Sequence, residues 1–246
     1  MKGLCNSYNS FDEVSLHPYA SLLRAGDEVL TLEDVQQRDA SQFESLPNSA
    51  TDLGFTNNHY WLRFSIQNAT SAEQVLFLEA CRPIVDVATL YELSSGSVVS
   101  KQLSGDAIPF KQRSFENRKV IFKLALKPNT TLDYYLHLKS DGEVINAGLM
   151  LRTFENLMGS EAFEQLIFGI FYGILLIAGI IYLFFFFALG ERSFLYYSLY
   201  VLFIGMLQFS LDGLFYQFIT PQSGWLSLNA VILSACIANF FLGRYA

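Results

Sequence analysis

The chain has 246 residues, of which 52% are hydrophobic and 16% are charged, and its formal net charge is −7. Ordinary soluble domains carry about 25% charged residues, and the mean hydropathy here is +0.30. This composition excludes an intrinsically disordered chain, and the negative charge argues against a nucleic-acid partner. Residues 1–165 hold 14 basic and 21 acidic residues, whereas residues 166–246 hold two of each. We therefore predict a soluble-type part followed by a part that lies in a lipid bilayer.

Residues 1–13 are predicted to form an N-terminal tail. Lys2 is followed by no apolar run of the 7–15 residues that a secretory leader contains. The positive-inside rule, applied to Arg192 and Arg244, places residues 1–165 outside the cytoplasm. Either a leader precedes these residues in the natural protein, or the first membrane helix translocates them. We favour a leader.

Residues 14–153 are predicted to form an antiparallel β-sandwich. Apolar and polar side chains alternate in Tyr60–Gln67, Lys119–Leu126 and Thr131–Lys139, as is typical of strands with one buried face. The core residues that this alternation predicts are Leu62, Phe64, Val120, Phe122, Leu136 and Leu138. Further strands are predicted at Val75–Glu79, Ile84–Tyr91, Ser97–Leu103 and Leu149–Phe154. Polar turns separate these short segments, which favours a sandwich.

One short helix is predicted within this part, at Leu32–Phe43. Thr31 stands before it and Asp34 follows three residues later. This spacing is typical of a capping box, in which the two side chains bond each other's backbone N–H groups.

Residues 154–165 are predicted to be a juxtamembrane linker that either extends the first membrane helix or acts only as a spacer. Residues 166–189 then run for 24 residues without a charge. At about 1.5 Å per residue this helix reaches about 36 Å, enough to cross a hydrocarbon core about 30 Å thick. Further membrane helices are predicted at 194–212 and 225–243. The third carries serine and asparagine side chains that need partners in a bundle, so we expect more helices beyond residue 246.

The orientation of the helices rests on two arginines. Arg192 lies in the turn after the first membrane helix and Arg244 follows the third, so both fall on one side of the bilayer. The positive-inside rule makes that side cytoplasmic. Asp212 precedes Gly213 near the opposite end of its helix, and we expect it to mark an interfacial helix end rather than a functional acid inside the membrane.

Several segments, in the right order, resemble one family of receptors. The resemblance covers about residues 14–246 and is carried by YWLRFSIQNAT, IVDVATLYEL, GDAIPFKQRSFENRKVIFKLAL, TLDYYLHLKSDG and LIFGIFYGILLIAGIIYLFFFFALGERSFLYYSLYVLFIGMLQFSLDGLFYQF. These are similar to the bacterial seven-transmembrane receptors with diverse intracellular signalling modules. The resemblance implies a jelly-roll-like, carbohydrate-binding-like periplasmic domain and a seven-helix unit in the bacterial inner membrane, followed by a cytosolic output module. This chain contains three of the seven helices and no output module.

A ligand site is expected on the sandwich, on residues outside its predicted core. Trp61 and Arg63 share the strand face that the alternation leaves out of the core, and an aromatic ring with an arginine fork suits a sugar or an organic acid. The polar connection after the strand at 97–103 adds four candidates, since loops often carry binding sites. These four are Asp106, Arg113, Asn117 and Arg118. In the alternative interpretation, Trp61 covers the second face of its sheet and the arginines pair with Asp106 or Glu116.

Two function classes follow. In the first, the chain is part of a sensory receptor whose outer domain binds a small solute or an envelope protein and shifts the helix bundle. In the alternative, it is a non-signalling envelope anchor that holds a partner protein through the sandwich. The sequence contains no Gly-rich phosphate loop, HExxH or GxSxG pattern, so we expect no enzyme activity, metal or cofactor. The lipid bilayer is an expected partner, and a homodimer is compatible with the sequence.

Overall fold

Strands in which apolar and polar side chains alternate form a sandwich of two sheets in the first of two units, residues 1–157. The computed structural model describes residues 4–7, 12–46, 51–81, 85–222 and 224–245. The strands in these ranges are β1 (Leu4–Ser7), β2 (Glu13–Ser15), β3 (Ser21–Gly26), β4 (Glu44–Ser45), β5 (Thr51–Thr56), β6 (His59–Asn68), β7 (Gln74–Cys81), β8 (Val87–Ser94), β9 (Ser97–Ser104), β10 (Val120–Leu126), β11 (Thr131–Lys139) and β12 (Glu143–Arg152). Helix α1 (Leu32–Gln37) lies between β3 and β4.

The two sheets are antiparallel apart from one strand. The first has the order β4-β3-β6-β11-β8-β9, with β1 pairing in parallel with β6. The second has the order β10-β7-β12-β2, and β5 also pairs with β12. Leu62 faces Leu136 across the first sheet, and Phe122 faces Leu78 across the second. These side chains belong to one core between the two sheets.

The predicted all-β sandwich followed by apolar helices is confirmed. All six predicted core residues are buried, with exposed fractions of 2% or less. The capping box of α1 is also present, since the Thr31 hydroxyl accepts the backbone N–H of Asp34 and the Asp34 carboxylate accepts that of Thr31. The helix ends at Gln37, earlier than predicted, because Arg38 is extended and Asp39 caps a separate 3-10 turn over Ala40–Gln42.

Several element boundaries differ from the expectation, among them the end of the predicted strand at Leu149–Phe154, since Phe154 begins a helix. Leu4–Ser7, predicted as part of a tail, pairs with β6, and a four-residue strand is too short for its alternation to be recognised. β12 begins at Glu143 rather than Leu149, because Asn146 and Gly148 hide the apolar pattern. β8 begins at Val87, and Ile84 lies outside the described residues.

The helices follow the sandwich. They are α2 (Phe154–Leu189), α3 (Arg192–Leu211), α4 (Leu214–Phe218) and α5 (Gly224–Tyr245). α2 therefore includes the predicted linker, 154–165, as helix. Among the described residues, α2 and α3 are long and apolar enough to cross a membrane. α5 coincides with the predicted third span, whose crossing stays a prediction.

The second unit, residues 158–246, packs its helices antiparallel. Gly190, with φ +72°, ends α2 and reverses the chain. The Ser198 hydroxyl of α3 then donates to the Gly179 carbonyl of α2 at 2.9 Å. α5 returns along α3, so that the Arg244 guanidinium lies 5.5 Å from the ring centre of Tyr196.

Polar side chains in these helices find partners in two ways. The Tyr172 hydroxyl donates to one carboxylate oxygen of Asp212 at 2.6 Å, and the Gln208 amide donates to the other at 2.9 Å. Asp212 lies just after the last residue of α3, at the helix end, as predicted. Asn229 and Asn239 instead each donate one amide N–H to a carbonyl four residues earlier in their own helix.

Candidate functional site

Trp61 is not on an exposed face, and the prediction that a ligand can reach it is wrong. Its exposed fraction is 1%, and its ring stacks between Tyr91 and His137, with centroid distances of 5.8 and 4.6 Å. Leu32 and Val35 of α1 complete a second core on this outer face of the first sheet. The segment between β3 and β4 folds over the sheet, so Trp61 stabilises that cover, as the alternative interpretation held.

Arg63 also takes part in this cover. It is half-buried, and its guanidinium lies 4.1 Å from the ring centre of Phe43. This cation–π contact packs the Arg63 guanidinium against the Phe43 ring of the same chain. Arg63 and Trp61 therefore share a sheet face, as predicted, but that face is packed against the protein's own chain.

The other four predicted residues lie together in the loop between β9 and β10. Asp106, Arg113 and Arg118 are buried, with exposed fractions of 4–7%, and Asn117 is half-buried. Arg113 donates to the backbone carbonyls of Asn117 and Arg118 at 2.8 and 3.3 Å. The Asn117 side chain in turn accepts the backbone N–H of Lys119 at 2.8 Å. These contacts shape the loop from within, and ligand binding by the four residues stays a prediction.

Asp106 forms a buried carboxyl pair with Asp86, the residue just before β8. The two side chains are hydrogen-bonded, and burial, followed by the charge of Asp86, raises the pKa of Asp106 to about 7. Burial also raises the pKa of Asp86, whose carboxylate accepts the backbone N–H of Asp141. One proton held between two buried carboxyls relieves their repulsion. Gly105 allows its loop to pass close to the backbone of Asp86, since a Cβ at residue 105 would lie 2.3 Å from the Asp86 carbonyl oxygen.

Next to Asp141, an open cleft of about 420 Å³ lies between two strand turns. Its walls come from the β5–β6 turn, the β11–β12 turn and the loop after β3, and its lining residues are Asp27, Phe55, Thr56, Asn57, Asn58 and Gly142. Thr56 holds the walls together. Its hydroxyl accepts the backbone N–H of Asn58 and the Tyr60 hydroxyl, both at 3.0 Å, and its carbonyl accepts the Gly142 N–H at 3.2 Å.

His59, which follows the cleft-lining residue Asn58 in the chain, forms a pair with His137 on the first sheet. His59 and His137 stack with a centroid distance of 5.1 Å, and Nδ1 of His59 lies 2.9 Å from Nε2 of His137. Burial, then the charges of His59 and Lys139, lowers the pKa of His137 to about 4. Burial also lowers the pKa of His59. Both rings are therefore neutral at pH 7, and one donates an N–H to the other.

The sequence analysis did not predict the residues that line this cleft, and one of its candidates, Asp106, is connected to the cleft only through other residues. Asp106 bonds Asp86, and Asp86 accepts the N–H of Asp141, which precedes the lining residue Gly142. The signal that could have found the cleft is the string GFTNNH at 54–59, where a glycine and an aromatic interrupt a strand pattern just before two asparagines.

The fold and the cleft together define a class of protein. It is a β-sandwich with an open polar cleft, followed by helices that are long and apolar enough to cross a membrane, which is the class of membrane-anchored β-domains. The family model described as "7TMR-DISM extracellular 2" matches residues 17–151, and the one described as "7TM diverse intracellular signalling" matches residues 164–246. The chain belongs to this family of membrane receptors with an extracellular domain.

The other comparisons are weaker. No curated protein matches the chain. A β-glucosidase from Kluyveromyces marxianus is similar at 9% identity and a TM-score of 0.31, covering 57% of this chain but 18% of that enzyme. A CBM35 domain from Paenibacillus barcinonensis is similar at 9% identity and a TM-score of 0.27, covering 56% of this chain and 94% of that domain. TM-scores this low establish neither a shared fold nor a shared ligand.

Proposed function

We propose that this chain is the sensing part of its receptor: the sandwich captures a small polar solute outside the membrane, and α2 carries the change into the helices. The observation that carries the proposal is the continuity of one helix. β12 ends at Arg152, α2 begins at Phe154, and this helix runs without a break to Leu189. A single element therefore contains both the exit from the sandwich and an apolar span.

The start of α2 is fixed to the sandwich by several contacts. Arg152 forms ion pairs with Glu79 of β7 at 3.2 Å and with Glu13 of β2 at 3.1 Å, and it donates to Asn156 at 2.9 Å. Leu157 is fully buried against Phe77 and Ile121 on the outer face of the second sheet. A shift of β12 relative to its neighbours would therefore move the first turn of this helix.

β12 also reaches the cleft at its other end. Gly142 lines the cleft directly before the strand begins, and Val144 pairs with Phe55. Ten residues of extended chain span about 33 Å, so one strand would connect the solute site with the start of the helix. A solute shifts such a system only when it binds one of two states more tightly.

The proposed orientation places residues 1–165 in the periplasm of a multi-pass bacterial inner-membrane protein. Its support is the clustering of the basic residues Arg192 and Arg244 at one end of the helical unit. The contact between Arg244 and Tyr196 brings the end of α5 to the start of α3. Basic residues concentrate on the cytoplasmic side of membrane proteins.

Hydrogen exchange of the full chain in lipid nanodiscs tests the proposal. The probes are neutral sugars (glucose, galactose, xylose) and dicarboxylates (succinate, malate). We expect at least one probe to slow exchange in the sandwich and to change exchange in residues 154–165. Binding that leaves residues 154–165 unchanged would instead support an anchor, and absence of binding by every probe would overturn a small-solute sensor.

A further inference from the structure

Phe55 is a large apolar side chain that the fold holds in solvent. Its exposed fraction is 82%, whereas Leu53, two residues earlier on the same strand, is 9% exposed. In a regular strand, residues two apart point to the same face. Phe55 would then enter the core beside Leu53, so a specific feature of β5 must turn it outward.

That feature is a β-bulge at Gly54. Phe55 pairs with Val144 and Asp52 pairs with Asn146, so three steps along β5 oppose two steps along β12. Gly54 is the extra residue and adopts a φ of +73°, which a glycine accepts without strain. The Asp52 carboxylate fixes the bulge by accepting the Gly54 N–H at 2.8 Å. Bulges of this kind re-aim side chains near functional sites.

The surroundings of Phe55 offer hydrogen bonds to hydroxyl groups. Asn57 and Asn58 supply amides that donate and accept, and Asp27 supplies a carboxylate that accepts. The described residues that line the cleft include no lysine or arginine, and nearby Lys139 is ion-paired with Asp141 at 2.9 Å. An anionic solute would therefore meet the Asp27 carboxylate without a lining cation, whereas a neutral polyol would not be repelled.

The cleft is also largely pre-formed. Thr56 bonds Asn58, Tyr60 and Gly142, which fixes the backbone of both turns before any ligand binds. Binding to a pre-organised site loses less conformational entropy. The volume of about 420 Å³ falls within the range of small-molecule sites.

Resting on the proposed function, we propose that this cleft is the solute site and that its ligand is a neutral sugar ring. The ring stacks on Phe55, and its hydroxyls bond the side chains of Asn57, Asn58 and Asp27. A flat aromatic surface fits the C–H face of a pyranose, while the amides and the carboxylate bond hydroxyls at its edge. The site lies away from Trp61 and Arg63, where the sequence had placed it.

Isothermal titration of the full chain in nanodiscs with glucose, galactose, xylose and N-acetylglucosamine tests this site, with glucuronate and succinate as anionic probes. We expect at least one neutral sugar to bind and Phe55→Ala to weaken it about tenfold or more. Phe55→Tyr keeps the ring and should stay within about threefold of the wild type. Val99→Ala, which also truncates an exposed apolar side chain, is the matched control and should leave affinity unchanged.

The outcomes separate this inference from the proposed function. A neutral sugar that binds the wild type and Phe55→Ala equally would place the site elsewhere and leave the sensor proposal standing. Preference for succinate or glucuronate would overturn the ligand class but not the sensor. If no probe binds, both proposals fail. The thermal unfolding of Phe55→Ala should match that of the wild type, so a lost affinity cannot be assigned to misfolding.

Discussion

At the scale of single residues, burial separates the structural aromatic from the accessible one. Trp61 is 1% exposed and lies in the second core, whereas Phe55 is 82% exposed beside the cleft. Trp61→Ala should therefore lower the free energy of unfolding by about 3–5 kcal/mol, the usual cost of emptying a large core site. Denaturant unfolding of the full chain in detergent measures this. A loss below about 1 kcal/mol, as expected for the control Val99→Ala, would contradict the assigned packing.

The carboxyl pair makes the stability of the sandwich depend on pH. The folded pKa of Asp106, about 7, lies above its ordinary value of 3.8, so the folded state retains a proton that the unfolded chain has lost. The stabilisation is complete below about pH 4 and is lost as the pH rises through about 7. Between pH 5 and 8, the melting temperature of the wild type should fall by several degrees more than that of Asp106→Asn. Parallel curves for the two proteins between pH 5 and 8 would show that the folded pKa of Asp106 is not raised to about 7.

His137 makes the stability of the sandwich depend on pH in the opposite direction. Its folded pKa, about 4, lies below its ordinary value of 6.5, so the unfolded chain binds a proton that the folded state does not. This contribution is present above about pH 6.5 and is lost as the pH falls towards 4. The advantage of the wild type over His137→Gln in melting temperature should therefore shrink between pH 7 and pH 5. A constant difference would mean that the pKa of His137 is not lowered.

At the scale of elements, the loop between β9 and β10 depends on Arg113. Its guanidinium is buried and bonds two backbone carbonyls of its own loop. Arg113→Ala should cost about 1–3 kcal/mol of unfolding free energy, because those carbonyls lose a donor. Arg113→Lys should recover part of that loss. Unchanged stability in Arg113→Ala would instead leave Arg113 available for a ligand, as the sequence had indicated.

The contact between Tyr172 and Asp212 links α2 to the end of α3. The hydrogen bond from the Tyr172 hydroxyl to Asp212 is 2.6 Å long, and the Gln208 amide donates to the other carboxylate oxygen of Asp212. A double-mutant cycle of Tyr172→Phe and Asp212→Asn should give a coupling energy of about 0.6–1.7 kcal/mol, as for other hydrogen bonds between membrane helices. The measurement is unfolding of the full chain in mixed micelles. Additive effects of the two changes would contradict this pairing.

The sequence predicted those elements whose side-chain pattern is local. The alternation around Leu62 and Phe122 predicted which side chains face the core, because this pattern can be read from residues that are close in sequence. It could not show that the outer face bearing Trp61 is also covered, since that depends on α1 folding back onto the sheet. Nor could it show where Phe55 points, because Gly54 marks an interruption of the strand but only the pairing with β12 shows that the bulge turns Phe55 out of the core.

At the scale of the whole molecule, the proposed topology makes a labelling prediction. In a chain freed of its three native cysteines, Val99→Cys on β9 should react with an impermeant thiol reagent in intact spheroplasts. Ser193→Cys, in the first turn of α3 next to Arg192, should react only after permeabilisation. The reverse pattern would place the sandwich in the cytoplasm and overturn the receptor orientation.

The central claim is that a solute in the cleft changes the start of α2 through β12. Its most direct test is ¹⁹F NMR of a trifluoromethyl label on Glu155→Cys, an exposed position in the first turn of the helix. The full chain in nanodiscs is titrated with the neutral sugar that it binds most tightly. The account predicts that the ¹⁹F signal shifts in step with saturation of the cleft, and that Phe55→Ala requires about tenfold more sugar for the same shift. Saturation of the cleft with an unchanged ¹⁹F signal would contradict it.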